Sequence, residues 1–203
     1  MIYWNTPRFI IKWFSHLEWH YSRKEKTIYL TFDDGPTPGI TQQVLDLLDK
    51  YNAKATFFCL GRNVDRHRDI FHEIIARGHS TGNHTYSHLK GWKSSVKAYA
   101  HDVNLASKYI PSKLFRPPYG RIRHVQTRYL SKEFRIIMWD VLSHDYNRKI
   151  SQKICLKSVL KSTKNGSVVV FHDSEKASKN MLFVLPRLLE HFSKKGFTFS
   201  RIE

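Results

Sequence analysis

Strand-like and helix-like segments alternate from Lys26 to the end of this 203-residue chain, and this pattern limits its fold most. Residues 41–51 place apolar side chains at the i, i+3, i+4, i+7 spacing of a helix, and residues 55–60 form a short apolar run typical of a buried strand. The connections are too long for hairpins, so parallel strands joined by crossover helices are required. About seven strands predict an α/β fold, either a (β/α) barrel slightly short of eight strands or an open doubly wound sheet.

The predicted strands span residues 26–32, 55–60, 79–83, 113–116, 135–141, 167–171 and 197–202. The predicted helices span residues 41–51, 66–77, 94–110, 123–133, 151–163 and 180–195, with Pro186 at a turn or kink of the last one.

Polar side chains lie near the predicted carboxyl ends of the strands, where both candidate folds collect their functional groups. Because parallel strands all end at one rim, these side chains should meet there. They are Asp33 and Asp34 after the first strand, His84 after the third, Arg116 on the fourth, Asp140 on the fifth and His172 on the sixth.

Two of these residues, Asp34 and His84, suit a metal ion together with His88. His84 and His88 are four residues apart, so in a helical turn both imidazoles would project from one face. Together with Asp34 they form a set of two imidazoles and one carboxylate, which holds a catalytic zinc ion and leaves one position open. An isolated histidine pair of this spacing is also compatible with two surface side chains.

Metal-assisted hydrolysis further needs a base, an acid and a donor for the oxyanion. Asp33 is the candidate base, with Arg116 positioned to hold it through a bidentate contact. His172 is the candidate acid, with Asp140 expected to hold its imidazole and favour the charged form. The backbone N–H of Tyr119, in a turn after two prolines, is the candidate oxyanion donor.

Residues 1–25 are aromatic and basic, and we expect them to form an extension packed on a domain of residues 26–203. A contact of this extension with a membrane surface is the alternative. The sequence shows neither a signal-peptide pattern nor a transmembrane segment, which predicts a cytoplasmic chain, with membrane association as the alternative. Cys59 and Cys155 suggest no disulfide framework and no thiolate metal cluster.

The formal net charge of +17 favours contact with an anionic surface or polymer. No nucleic-acid-binding motif accompanies the charge, so we expect no specific nucleic-acid partner. We expect a monomer.

Five blocks of the sequence resemble the polysaccharide deacetylase family, the NodB homology domain of carbohydrate esterase family four. They are TFDDGP (31–36), HTYSH (84–88), RPPYG (116–120), DVLSHDY (140–146) and FHD (171–173), in the family's order and approximate spacing.

The resemblance implies a distorted (β/α)7 barrel that removes acetyl groups from N-acetylated sugars with a divalent metal, zinc in the first instance and cobalt or nickel as alternatives. It also implies the roles of the matching positions, which are Asp33 as base, Asp34, His84 and His88 as metal ligands, His172 as acid, Asp140 and Arg116 as tuning groups, and Tyr119 as oxyanion donor. Tyr146 and Val170 replace the Trp and Leu usual in the family's pocket for the acetyl methyl group, and His144 is an additional titratable group.

Two other functions fit the sequence. An esterase could remove O-acetyl groups from a glycan with the same residues. A non-catalytic protein could use the basic and aromatic surface to bind an acidic polymer, and its binding would then depend on salt but be indifferent to chelators.

Overall fold

The structure is a computed structural model that describes residues 3–203. In this part of the chain, eight parallel strands form one curved sheet in the order β5-β4-β3-β2-β1-β7-β6, with β8 paired to β1. The α/β prediction and the distorted (β/α)7 barrel are confirmed. The strands are β1 (Thr27–Asp33), β2 (Ala55–Cys59), β3 (Ser80–Asn83), β4 (Leu114–Phe115), β5 (Arg135–Ile136), β6 (Val141–Leu142), β7 (Val168–His172) and β8 (Thr198–Phe199).

Helices cover the outside of the sheet. The α-helices are α1 (Arg8–Trp13), α2 (Ile40–Lys50), α3 (Gly61–Arg66), α4 (Arg68–Ala76), α5 (Val96–Ser107), α6 (His124–Leu130), α7 (Gln152–Ser162) and α8 (Ser178–Ser193). Ser95 and Ser151 begin α5 and α7, since their side chains accept hydrogen bonds from the backbone N–H three residues later.

Three sequence predictions need correction. The helix predicted over residues 66–77 is α4, Arg68–Ala76, and the sequence prediction missed the separate helix α3, which ends at Arg66; His67 lies between the two helices with φ −132° and ψ 56°, outside the helical region. The strand predicted over residues 135–141 is the separate strands β5 and β6, which pair with β4 and β7 at opposite edges of the sheet. Pro186 lies inside α8 and does not interrupt it.

The core lies between the sheet and its helices, and β1, β2 and β7 are its centre. Phe32 stacks against Phe57 and Phe171, with ring centroids 5.0 and 6.0 Å apart. These three buried rings come from neighbouring strands at the same level of the sheet. Their packing fixes the carboxyl ends of the strands, from which the site is built.

Residues 3–25 run along the gap between β5 and β6. The backbone N–H of Leu142 donates to Trp4 O, and the backbone N–H of Met138 donates to Glu18 O. On the outer side of this segment, Phe9 and Trp13 of α1 are 70% and 80% exposed. The first two residues of the expected extension 1–25 lie outside the described residues.

Within residues 3–203, no helix combines the length and the apolar character needed to cross a membrane.

Candidate active site

The carboxyl ends of the parallel strands bring most of the predicted site residues together. Asp33 ends β1 and is paired in register with His172, which ends β7. Asp34 follows β1, and His84 and His88 follow β3. The rim expected from the sequence therefore exists, and its residues line one cavity of about 620 Å³.

Asp34, His84 and His88 converge on one point. Asp34 Oδ1 lies 3.2 Å from His88 Nε2 and 3.8 Å from His84 Nε2, and one ligand atom from each residue lies within 4.8 Å of the others. Asp34 Oδ1 is buried and receives no hydrogen bond from any residue in the described part of the chain. A buried carboxylate oxygen without a donor is costly unless a cation satisfies it, so the set fits a divalent ion.

The histidines are held in the form that a metal requires. His84 Nδ1 donates to Arg116 O at 2.7 Å, which leaves the lone pair of Nε2 directed at Asp34. Burial lowers the pKa of His84, and burial together with the neighbouring His84 lowers the pKa of His88 to about 4. Burial opposes ionisation of Asp34, but the nearby imidazoles, with His172 contributing most, lower its pKa overall. Two neutral imidazoles and one carboxylate result at neutral pH.

The prediction that residues 84–88 form a helical turn is wrong. Thr85 and His88 have φ values of 66° and 62°, in the left-handed region that non-glycine residues avoid. Surrounding hydrogen bonds hold this turn, since the N–H of Thr85 donates to Asn83 Oδ1 and the N–H of Ser87 donates to Asp102 Oδ2. Tertiary contacts, rather than helical spacing, thus direct both imidazoles to one point.

Arg116 holds Asp33 by one of its nitrogens. Nη1 donates to Asp33 Oδ1 at 2.8 Å and to Thr31 Oγ1 at 2.7 Å. Nε and Nη2 donate to the backbone oxygens of Ile137 and Met138, so the bidentate contact expected for Asp33 is not formed. The fully buried guanidinium fixes the position of Asp33 relative to β4 and the segment after β5.

His172 pairs with Asp145, so the prediction that Asp140 holds its imidazole is wrong. His172 Nδ1 donates to Asp145 Oδ1 at 2.8 Å, and the backbone N–H of His172 donates to Asp145 Oδ2 at 2.8 Å. Burial opposes the charged imidazole, but the buried Asp145 carboxylate outweighs it and raises the pKa of His172 to about 9. His172 is therefore protonated at neutral pH and has a proton to donate.

Asp140 lies at the opposite end of β7. Its Oδ2 accepts from Arg23 Nη2 at 2.7 Å, and its Oδ1 accepts from the N–H of Val168, the first residue of β7. The register explains the error, because β6 begins at Val141, opposite Val169. Asp140 thus precedes the strand, and a residue that reaches the carboxyl end must follow Leu142, as Asp145 does.

The sequence predictions also missed Asp173. Its carboxylate accepts from the backbone N–H of Gly35 at 3.1 Å and from Thr41 Oγ1 at 2.6 Å. A Cβ at position 35 would lie 2.0 Å from Asp173 Oδ2, so only glycine allows this contact. Asp173 thereby fixes the turn that follows Asp33 and Asp34. Its position directly after His172 was the available signal.

The cavity wall combines apolar and aromatic side chains. Tyr146 stands edge-on to His172, with ring centroids 5.0 Å apart, and Leu142 and Val170 line the same cavity. Tyr119 has a left-handed φ of 61°, and its ring lies 4.5 Å from that of His88. This wall offers apolar surface for a methyl group next to the polar centre.

His144 connects the wall to the N-terminal segment. Its Nε2 is 2.9 Å from Tyr3 O, its Nδ1 is 3.2 Å from the hydroxyl of Tyr146, and its ring packs edge-on against Trp4. His144 therefore links the hydroxyl of Tyr146 to the N-terminal segment and holds the tyrosine side chain in position.

Comparison with known proteins agrees with this geometry. A family model described as polysaccharide deacetylase matches residues 20–136. A peptidoglycan-N-acetylglucosamine deacetylase of Bacillus cereus is 33% identical over 193 residues, which cover 91% of this chain and 90% of the relative. Peptidoglycan-N-acetylmuramic acid deacetylase PdaC of Bacillus subtilis is 31% identical over 186 residues, which cover 88% of this chain but 39% of that relative.

Among solved structures, the Bc1960 peptidoglycan N-acetylglucosamine deacetylase in complex with 4-naphthalen-1-yl-N-oxidanyl-benzamide superposes with a TM-score of 0.87. It is 29% identical, and the match covers 95% of this chain and 94% of that one.

Proposed function

Since the chain belongs to the polysaccharide deacetylase family, we propose that it is a divalent-metal-dependent hydrolase that removes acetyl groups from N-acetylated sugars. The observation that supports the proposal is that one cavity is lined by a carboxylate, by a set of two imidazoles and a second carboxylate, and by an imidazole whose pKa is raised. Asp33, the set of Asp34, His84 and His88, and His172 all line it.

The ligand set determines what the metal would contribute. A divalent ion held by Asp34, His84 and His88 supplies a Lewis acid that polarises the acetamide carbonyl and acidifies water. We propose zinc, with cobalt and nickel as alternatives, because two imidazoles and one carboxylate suit all three ions.

The residues of the chain move the protons. Asp33, fixed by Arg116, accepts a proton from the water that attacks the acetamide carbon. The backbone N–H of Tyr119 donates to the carbonyl oxygen as negative charge develops on it. His172 donates its proton to the sugar nitrogen as the carbon–nitrogen bond breaks, and acetate and a free amine leave. Asp145 stabilises the charged imidazole until that proton is transferred.

The cavity wall positions the acetyl group. Leu142, Tyr146 and Val170 surround the space next to His172 and would receive the methyl group. The tyrosine hydroxyl, held by His144, keeps the ring in place.

Acetate release by metal-depleted protein tests the proposal. The chain is treated with a chelator, restored with zinc, cobalt or nickel, and assayed on N-acetylglucosamine oligomers, peptidoglycan and acetylated xylan. We expect chelation to abolish release from the N-acetylated substrates and a restored metal to recover it. Activity that survives chelation contradicts the proposal, and release from xylan alone favours an O-acetyl esterase.

Location and assembly remain predictions from the sequence. Cell fractionation tests the cytoplasmic or membrane-associated location, and light scattering of the purified chain tests the monomer.

A further inference from the structure

We propose that the mouth of the active site selects an acidic N-acetylated glycan, one that carries a carboxylate or phosphate on or next to the sugar that loses its acetyl group. The inference rests on the proposed deacetylase function and specifies its substrate class. Four cationic side chains carry it, each from a different connection at the carboxyl end of the sheet. They are Arg62 after β2, Lys90 after β3, Arg121 after β4 and Lys176 after β7.

The charge of these four side chains is not balanced within the cavity. Among the described residues, the carboxylates that line the cavity are Asp33 and Asp34. Asp33 is paired with the buried Arg116, and Asp34 faces the two metal-site imidazoles. Within residues 3–203, none of the four cations forms an ion pair with a carboxylate, so their charge is available to a ligand.

Two of the cations lie close to the reaction centre on opposite sides. Lys90 Nζ is 5.0 Å from the ring centroid of Tyr119, and that ring packs against the metal-site residue His88. Lys176 Nζ is 5.5 Å from the ring of Tyr146, which packs against the acid His172. One aromatic ring therefore separates each ammonium group from a site imidazole.

In the proposed reaction the acetamide binds between His88 and His172. The sugar that carries it would then lie between the rings of Tyr119 and Tyr146, each of which has an ammonium group beside it. An anionic group there would lie within reach of an ammonium group, since charges interact over about 8 Å at physiological ionic strength. A neutral oligomer would contact the same aromatic rings without the electrostatic attraction.

The basic surface continues beyond the mouth on the side of His172. A neighbouring groove of about 490 Å³ shares Lys176 with the active-site cavity and adds Arg148 and Lys179. Of the two acids in this groove, Asp145 is buried against His172, and Glu175 is exposed. A polymer with repeated negative charges could thus follow the surface from the site into this groove.

Two substrates that differ only in charge test the inference. One is an N-acetylated glycan fragment with free carboxylates, and the other is the same fragment with every carboxylate converted to the amide. A phosphate-bearing N-acetylglucosamine oligomer tests whether the site prefers phosphate to carboxylate. With the zinc-loaded full chain, we expect KM for either anionic substrate to be about tenfold lower than for the amidated one at low salt. The difference should shrink as sodium chloride is added.

A double variant, Lys90→Gln with Lys176→Gln, assigns the effect to the mouth. We expect this double variant to raise KM for the anionic substrates by about tenfold, which removes most of their advantage over the amidated substrate. We expect kcat to change less. The control is Lys157→Gln, an exposed lysine on α7 outside both cavities, which should retain the preference. Thermal melting of all variants checks that folding is unchanged, and Arg121→Gln provides a second mouth variant if the double variant does not fold.

The possible results distinguish a failure of charge selection from a failure of the proposed deacetylase function. Equal kcat/KM for the charged and amidated fragments overturns charge selection but leaves the deacetylase function intact. A preference that the control variant loses as strongly as the mouth variants also overturns it. Absence of acetate release from every substrate contradicts the deacetylase function itself.

Discussion

Two largely buried histidines at opposite ends of the sheet, His172 and His79, show how differently the two ends are built. His172 ends β7 at the rim, where burial opposes its charge, but the negative charge of Asp145 and the hydrogen bond to it raise the pKa of His172 to about 9. His79 precedes β3 at the amino end, where burial lowers its pKa to about 4. Its Nδ1 accepts from the N–H of Ala55, and its Nε2 has no hydrogen-bond partner among the described residues. Burial is common to both, so the neighbouring carboxylate determines which imidazole is charged.

The same contrast extends to the backbone around them. The rim holds Asp34, Thr85, His88 and Tyr119 in left-handed conformations, which cost of order 1–3 kcal/mol each. Such strain persists where surrounding contacts impose it, and it is concentrated here at the proposed reaction centre. The comparison leads to four predictions.

The largest effect is expected at the rim from Asp33→Asn. The amide cannot accept the proton from water, so kcat should fall by about 10³-fold or more. Acetate release measures the loss. As the control at the other end of the sheet, His79→Gln should lower stability and retain kcat. A similar kcat for Asp33→Asn and the wild type would contradict the assignment of the base.

Asp145→Asn against Asp140→Asn tests which carboxylate serves His172. We expect Asp145→Asn to lower kcat by about 10²-fold, because the imidazole loses the charge that keeps it protonated. Asp140→Asn should mainly lower the melting temperature, since it weakens the contact with Arg23. If Asp140→Asn causes the larger loss in kcat, the pairing described above is not the functional one.

The pH profile should report the raised pKa of His172. The acid must be protonated, and its pKa of about 9 lies above the ordinary value, so kcat should hold at neutral pH and fall as pH rises through about 9. In Asp145→Asn the alkaline limb should move to lower pH. An unchanged limb in that variant would assign the titration to another group.

The smallest effect concerns stability at the amino end. The pKa of His79 is about 4 in the folded chain, below the ordinary 6.5, so the unfolded chain binds a proton first as pH falls. The stability contributed by the neutral imidazole is complete above pH about 6.5 and is lost as pH falls toward 4. The melting temperature should drop by a few degrees in this window, and the drop should be smaller in His79→Gln. Parallel curves for both proteins would contradict this.

The sequence sufficed where a feature depends on strand direction alone. Parallel strands place their carboxyl ends at one rim, so Asp33, Asp34, His84 and His172 could be assigned to one site without knowledge of the packing. The alternation of segments likewise predicted the α/β architecture. Both are properties of local pattern and connection.

The sequence failed where a position depends on register or on distant contacts. The choice between Asp140 and Asp145 depends on where β6 begins, and the apolar run 136–139 concealed the break before that strand. The left-handed turn between His84 and His88 depends on a hydrogen bond that the N–H of Ser87 donates to Asp102, which lies in α5. Spacing along the chain contains neither kind of information.

Zinc binding to crystals of the chain tests the central claim most directly. Anomalous diffraction at the zinc edge should show one ion within about 2.0–2.2 Å of Asp34 Oδ1, His84 Nε2 and His88 Nε2, with a position left open toward the cavity. The same experiment on Asp34→Asn should show lower occupancy. An ion bound elsewhere at full occupancy, or imidazoles that turn away from Asp34 in the presence of zinc, would contradict the account.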